Sequence, residues 1–191
     1  DRIGWWVSQN MFDNVAEWGE KHGMQPERAI QAVRIVYNHF GNCGELQDMI
    51  TSASRTLLLP VMNVSNSNED HVWNEFLGAD GWHPYQVSWS DSSTHVDAPS
   101  VSADDQTGGG KDVSMVTAYR GDGRVQSVSG HYTDTITITI QVKDSADQPM
   151  EGVELLLFSE TYYDDTQLIG GLWGLTDETG TALWTKVLQA D

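Results

Sequence analysis

Cys43 is the residue in this sequence best placed to act as a nucleophile. It directly precedes an amphipathic stretch, so we expect its sulfur near the unpaired N–H groups and the positive end of a helix. Such a position favours the thiolate form. A lone cysteine is more often a small buried apolar residue, so Cys43 alone does not indicate an active site.

His71 is the candidate base. It lies on a predicted strand whose alternation puts it on the face opposite Val72 and Phe76, where it can face a cleft. A histidine beside a thiol can take the thiol proton and later give it to a leaving amine, as covalent acyl transfer requires. The commoner role of a strand histidine is a hydrogen bond within its sheet. A third group is expected to orient the imidazole, and the strand that begins at Trp82 should supply it.

Three motifs in this order carry a family resemblance. In these motifs the sequence resembles the transglutaminase-like superfamily. They are Gly41-Asn-Cys-Gly-Glu45 at a helix start, then His71-Val-Trp-Asn-Glu75, then a strand that begins with Trp82. That superfamily includes peptide N-glycanases and many microbial peptidase-like proteins. The resemblance implies an α+β fold with a papain-like core of helices on an antiparallel sheet, and a Cys-His-Asp triad.

The third member of the implied triad differs. The aspartate that the family places four residues after the tryptophan falls on Gln86. A glutamine carbonyl can orient an imidazole, as asparagine does in papain-like proteases, but it cannot stabilise the imidazolium with a full charge. Asp91 is a weaker substitute, because reaching His71 from beyond the strand requires a bend or register change, and His83 would touch the cleft only incidentally.

Four other residues near the motifs have two interpretations each. The oxyanion hole should use the Cys43 backbone N–H and one further donor, for which Asn42 and Asn38 are the nearest candidates. Both asparagines are also ordinary turn residues. Trp73 and Trp82 could line a substrate groove, although aromatic residues on strands are more often core.

Hydrophobic spacing predicts two helices before Cys43. The first covers residues 11–22 and ends at Gly23. The second covers residues 27–37, after Pro26, and is expected to place three apolar residues on one stripe: Ile30, Val33 and Tyr37.

A third helix should follow Cys43, and strands should follow that helix. Pro60 helps to end this helix. Its apolar residues recur at helical spacing: Leu46, Met49, Ile50, Ala53 and Leu57. Strands are predicted at 61–64, 70–77 and 83–89. Residues 90–111 are polar and glycine-rich, which predicts a long surface loop.

The C-terminal third is predicted to be a small antiparallel β-sandwich. After a strand through 113–119, Ile136, Ile138, Ile140 and Val142 alternate with polar residues, which predicts one buried and one solvated face. Further strands are expected at 153–158, 168–175 and 181–188, with turns at 147–149 and 177–180. The acidic stretch 162–165 is better interpreted as a solvated loop than as a calcium site.

The segments 141–153 and 175–182 resemble carboxypeptidase-regulatory-like and bacterial Ig-like modules of extracellular proteins. We therefore divide the chain into a transglutaminase-like domain, 1–128, and an Ig-like sandwich, 129–191, that stops where a sandwich would normally continue. The resemblance implies a secreted or surface-anchored parent protein.

Composition excludes several classes of partner and site. Among 191 residues, 28 acidic against 10 basic side chains give a net charge of −18, which disfavours nucleic acid and anionic membranes. The single cysteine excludes an intrachain disulfide and a cysteine-based zinc site, and no cofactor is expected. No stretch approaches the roughly 20 apolar residues of a membrane span. The first residue, Asp1, is neither a start methionine nor the beginning of a signal peptide. The chain is therefore expected to be a piece of a longer protein.

Two functions follow as hypotheses. In the first, Cys43 attacks an amide carbonyl of a protein or peptide, His71 moves the proton, Gln86 orients His71, and water or an amine resolves the thioester. Hydrolysis is favoured over crosslinking, and an amidase acting on glycosylated asparagine is a third possibility. In the second, the groove is catalytically inactive and recognises a peptide or glycan at the cell surface.

Overall fold

The chain combines helices with antiparallel sheets, as expected for an α+β protein. A computed structural model describes residues 2–66, 71–87, 94–96, 115–121, 123–160 and 168–189. It divides into two compact units: the first comprises Asp1–Val64 with His71–Lys111, and the second comprises Ser65–Asp70 with Asp112–Asp191. The predicted boundary at residue 128 concerns sequence modules, and it stays a prediction.

The first unit holds four α-helices within the described residues: α1 Arg2–Asn10, α2 Val15–His22, α3 Ala32–Asn38 and α4 Cys43–Thr56. Asn14 begins α2, because its side-chain oxygen accepts a hydrogen bond from the Glu17 N–H at 2.8 Å. Gly23 ends α2 with a φ of 67°, as predicted. None of the described helices is both long enough and apolar enough to span a bilayer.

The two helices predicted before Cys43 differ from those observed. Helix α2 starts four residues later than predicted, because Asp13 instead forms a β-bridge with Phe40. Helix α3 starts at Ala32 and buries Ile35. Ile30 therefore lies before the helix, and the other two members of the predicted stripe, Val33 and Tyr37, are 76% and 84% exposed. Periodicity showed that Val33 and Tyr37 share a face, but not which face is buried.

The third predicted helix is confirmed as α4. It begins at Cys43, and Leu46, Met49 and Ile50 enter the core of the first unit. That core also contains residues from two other helices, from the segments beside them and from the sheet: Val7, Met11, Ala29, Ile35, Tyr85 and Val87. Burial of this apolar surface is what holds α4 on the sheet.

Four strands follow α4, namely β1 Val61–Asn66, β2 His71–Leu77, β3 Trp82–Val87 and β4 Thr94–Val96, in the spatial order β4-β3-β2-β1. Strands β2 and β3 are antiparallel, with Asn74 opposite Tyr85. The three strands predicted here are confirmed to within two residues at each end. Of the predicted loop 90–111, only 94–96 lie inside the described residues, and they form β4 against β3.

Within the described residues, the second unit holds three antiparallel strand pairs. Its strands are β5 Val116–Tyr119, β6 Val125–Ser127, β7 Thr135–Gln141, β8 Glu154–Glu160, β9 Leu168–Leu175 and β10 Thr181–Gln189. They pair as β5 with β6, β7 with β10, and β8 with β9. The core of this unit is formed by one group of buried side chains: Met115, Leu172, Ala182, Trp184 and Val187.

The strands predicted in this unit are confirmed, with one correction. The apolar face predicted for β7 is only partly covered, because Ile138 packs against the core whereas Ile136 and Ile140 are exposed. The turn at 177–180 forms as predicted, since the Asp177 carboxylate accepts backbone hydrogen bonds from Thr179 and Thr181. The acidic stretch 162–165 lies outside the described residues.

Candidate active site

The three residues predicted to react line one small cavity. Cys43 is the first residue of α4, His71 is the first residue of β2, and Gln86 lies on β3. The cavity has a volume of about 10 Å³, which is room for about one water molecule. Cys43 is half-buried, whereas His71 and Gln86 are buried. The fold thus brings the three side chains to the same place.

A long hydrogen bond joins the imidazole to the amide. His71 Nε2 lies 3.4 Å from Gln86 Oε1, so the tautomer with a proton on Nε2 donates to the amide oxygen. The His71 ring also stacks on Trp73, with a centroid separation of 5.3 Å. Together these contacts fix the ring plane. The amide nitrogen of Gln86 is buried and has no hydrogen-bond partner within the described part of the chain.

The residues before Cys43 are held by the start of α2. Gly41 N–H donates to the Asp13 carbonyl at 3.2 Å, and Val15 N–H donates to Asn42 Oδ1 at 3.1 Å. Asn42 therefore acts through its side-chain oxygen as a structural residue. These bonds connect the approach to Cys43 with a second helix, which limits its movement.

Glu45 anchors the first turn of α4. Its carboxylate accepts the Asn42 backbone N–H at 2.7 Å and two hydrogen bonds from Arg28, both at 2.6 Å. Burial raises the pKa of Glu45, but the hydrogen bonds from Arg28 and Asn42 outweigh burial and leave the pKa below its ordinary value. Glu45 is consequently ionised at neutral pH, and it faces the positive end of the helix dipole.

Gly41 is required by the close approach of Glu45. A Cβ atom at Gly41 would lie 2.2 Å from Glu45 Cβ and 2.6 Å from its Cγ. Real Cβ contacts are never this short, so any larger residue at position 41 must displace Glu45. The glycine before the cysteine therefore lets the anchor of α4 pack against the chain.

A buried amide network joins α4 to β2. Gln47 Nε2 donates to the Trp73 carbonyl at 3.1 Å, two residues after His71. Asn74 Nδ2 donates to Thr51 Oγ1 at 2.8 Å and to the Gln47 carbonyl at 3.3 Å, and Thr51 Oγ1 donates to Asn63 Oδ1. Because Gln47 is one turn after Cys43, the network fixes the helix that carries the thiol against the strand that carries the imidazole.

The other residues considered from the sequence differ in their relation to the cavity. Of the two tryptophans, Trp73 lines the cavity, whereas Trp82 is not among the described residues that do. His83 points to Asp80, with Nε2 and Oδ1 2.8 Å apart, and its ring stacks on Phe76. Asp91 lies outside the described residues.

Sequence reasoning missed most of the supporting residues. Asn42 followed by Glu45 is the spacing of a capping box, so that part was visible in the sequence. The partners Arg28 and Asn74 are 17 and 27 residues from the groups they bind on α4. No local pattern identifies partners at such separations.

No family model matches the chain, and no curated protein matches it. The likeness to the transglutaminase-like superfamily therefore depends on the three motifs and their order.

Proposed function

We propose that the first unit is a thiol-dependent amide hydrolase or acyl transferase with a papain-like transglutaminase core, acting on protein or peptide substrates. The observation that carries the proposal is the cavity shared by Cys43, His71 and Gln86. These three residues come from three separate elements, and they are the same three that the motif order predicts. Along the chain, the start of a helix supplies Cys43, a strand supplies His71, and the neighbouring strand supplies Gln86.

In the proposed reaction His71 Nδ1 takes the proton of Cys43 as the sulfur attacks the amide carbonyl. A C–S bond forms, and the carbonyl oxygen becomes an oxyanion near the start of α4, whose backbone N–H groups can stabilise it. The imidazolium then gives its proton to the leaving nitrogen, and the C–N bond breaks to leave a thioester. Water, deprotonated by His71, attacks the thioester and releases the acid and the thiol. An amine in place of water would give a new amide.

Gln86 acts in this scheme as the positioning residue of His71. Its Oε1 accepts the Nε2 proton, so that Nδ1 is the nitrogen directed to the thiol. Because the amide is neutral, it stabilises the imidazolium less than an aspartate does. We therefore expect a rate below that of a full Cys-His-Asp triad. The small cavity implies that the substrate carbonyl reaches the sulfur from its exposed side.

Alkylation of the single cysteine tests the proposal. Iodoacetamide is added at graded pH to the native chain and to the same chain unfolded in urea, and every adduct reports Cys43. Below the ordinary thiol pKa of about 8.5, the native thiol should react faster than the unfolded one. His71→Ala should remove this excess, whereas His83→Ala, at a histidine bonded to Asp80, should keep it. A native thiol that reacts more slowly at every pH would reject the activated pair.

A catalytically inactive binding module is the second candidate. The observation that favours it is Gln86, whose amide nitrogen is buried without a partner among the described residues. Gln86→Glu keeps the side-chain length and adds a charge, and Gln86→Asp introduces the residue that the family places there. If the native chain has no amidase activity and either variant gains it, the binding module is supported. Appreciable native activity on peptide amides would eliminate it.

We also propose that the C-terminal segment is an Ig-like or carboxypeptidase-regulatory-like module of a secreted or surface protein, with its sequence boundary near 128–129. Three antiparallel strand pairs and the Asp177 turn support this reading. Such modules act as spacers or adhesive surfaces, so the unit would present the catalytic domain outside the cell. The acidic surface is consistent with protein or peptide partners and argues against nucleic acid.

A further inference from the structure

A second cavity lies towards the other end of α4. Its volume is about 460 Å³, within the usual range of small-molecule sites. Apolar side chains dominate its lining: Ile3, Leu57, Leu59, Pro60, Val61, Phe76, Leu77, Tyr85 and Val96. A neighbouring cavity of about 400 Å³ shares Arg2, Ile3 and Leu57 with it, so the two extend one apolar surface.

Besides Tyr85, whose hydroxyl accepts the Gly4 N–H, two polar side chains line this cavity: Ser54 and Arg2. The hydroxyl of Ser54 is fully buried and has no hydrogen-bond partner there. A buried hydroxyl without a partner is costly, so its retention points to a ligand that supplies one. Arg2 lines both cavities and forms no ion pair with any described residue, although the chain carries 28 acidic side chains.

The two polar groups select the charge of the ligand. The Ser54 hydroxyl can donate one hydrogen bond, and the Arg2 guanidinium can only donate, so both suit an acceptor with several lone pairs. Arg2 and Ile3 are also the first residues of α1, where backbone N–H groups carry partial positive charge. A carboxylate satisfies all of these donors, whereas a cation would be repelled by Arg2.

We propose that this cavity binds a single-chain fatty acid, with the carboxylate at Ser54 and Arg2 and the alkyl chain along the apolar lining. Ser54 is eleven residues after Cys43 on α4, which is about 16 Å along the helix axis. The site is therefore separate from the candidate active site. A neutral lipid could accept the hydrogen bond of Ser54 but would leave the charge of the guanidinium unmatched, which is why the acid is the preferred occupant.

Calorimetric titration of the full chain with three twelve-carbon probes tests the head-group preference. Dodecanoate and dodecyltrimethylammonium are titrated below their micelle concentrations and dodecanol below its solubility limit, with the Cys43 thiol first free and then alkylated. Dodecanoate should bind one molecule per chain and at least tenfold more tightly than either of the other probes. Alkylation should not change its affinity, so a failure of the proposed catalysis leaves this result standing.

Single variants locate the head group. Ser54→Ala should weaken dodecanoate binding about tenfold, as for loss of a hydrogen bond to a charged group, and weaken dodecanol binding less, because its hydrogen bond is to a neutral oxygen. Arg2→Gln should weaken it about threefold, because this guanidinium is exposed. The matched controls are Ser52→Ala on the same helix and Arg34→Gln, neither of which lines the cavity among the described residues.

The variant at Ser54 should fold at least as well as the native chain, because it removes a buried hydroxyl that has no described partner. Its unfolding temperature is therefore measured beside each titration. Equal affinity for dodecanoate and dodecanol, no dodecanoate binding, or equal losses in the Ser54→Ala and Ser52→Ala chains would each overturn the fatty-acid site.

Discussion

A methyl group added at Gly41, before Cys43, and one added at Gly44, after it, should have opposite effects on the free energy of unfolding. At Gly41 the new Cβ would lie 2.2 Å from Glu45 Cβ, and Glu45 cannot withdraw without losing its bonds to Arg28 and Asn42. At Gly44 the nearest atom to a new Cβ is a guanidinium nitrogen of Arg28 at 3.7 Å, an ordinary contact. The two glycines therefore form a matched pair.

The magnitudes follow from these contacts. Overpacking at Gly41 costs about 1–3 kcal/mol, and weakening the half-buried hydrogen bonds of Glu45 adds about 1 kcal/mol. We expect Gly41→Ala to lower the free energy of unfolding by about 2–4 kcal/mol. Gly44→Ala replaces a glycine near the start of α4 with the best helix former, and it should raise that free energy by about 0.5–1 kcal/mol.

Urea unfolding followed by the helical circular dichroism signal measures both changes, because the four described helices all belong to the first unit. Cys43 alkylation gives a second readout, since a displaced Glu45 moves the first turn of α4. If Gly41→Ala unfolds at the same urea concentration as Gly44→Ala, the close approach to Glu45 does not position the thiol, and the reasoning is wrong.

Two further substitutions probe the same helix. Glu45→Gln should lower the free energy of unfolding by about 1–3 kcal/mol at pH 7. Folding lowers the pKa of Glu45, so its stabilisation is present above the ordinary pKa of 4.5 and is lost as the pH falls through the folded pKa. The difference in unfolding free energy between the native chain and Glu45→Gln should therefore shrink in acid. A difference that grows in acid would contradict the ionised carboxylate. Gln47→Leu removes the hydrogen bond to the Trp73 carbonyl and should cost about 1 kcal/mol in urea unfolding, whereas a more stable variant would show that the bond does not hold α4 on β2.

Long regular patterns were the predictable part of this fold. Helix α4 was predicted correctly because its apolar residues recur at helical spacing, and three of them, Leu46, Met49 and Ile50, enter the core. The strands were predicted correctly because turn-forming residues separate them along the chain. Helix α1 was missed, although Ile3 and Val7 stand at helical spacing and Val7 is buried.

Short segments were less predictable because tertiary contacts decide them. Met11 has helical spacing with Val15, yet the bridge between Asp13 and Phe40 keeps the chain extended before α2. For the site, motif order predicted three residues that share a cavity, and their catalytic role stays a prediction. The ion pair between Arg28 and Glu45 could not be predicted from the sequence, because only the folded chain brings these two residues together.

The exposed apolar side chains on and just before α3 have a practical consequence for handling the protein. Near neutral pH the charge of −18 keeps molecules apart in spite of the exposed Ile30, Val33 and Tyr37. Strong salt shortens the range of this repulsion to about 3 Å, and acid neutralises the carboxylates, while the apolar side chains stay the same. Colloidal stability is thus set by charge, and dilute buffer above the titration range of the carboxylates is the condition that keeps concentrated samples clear.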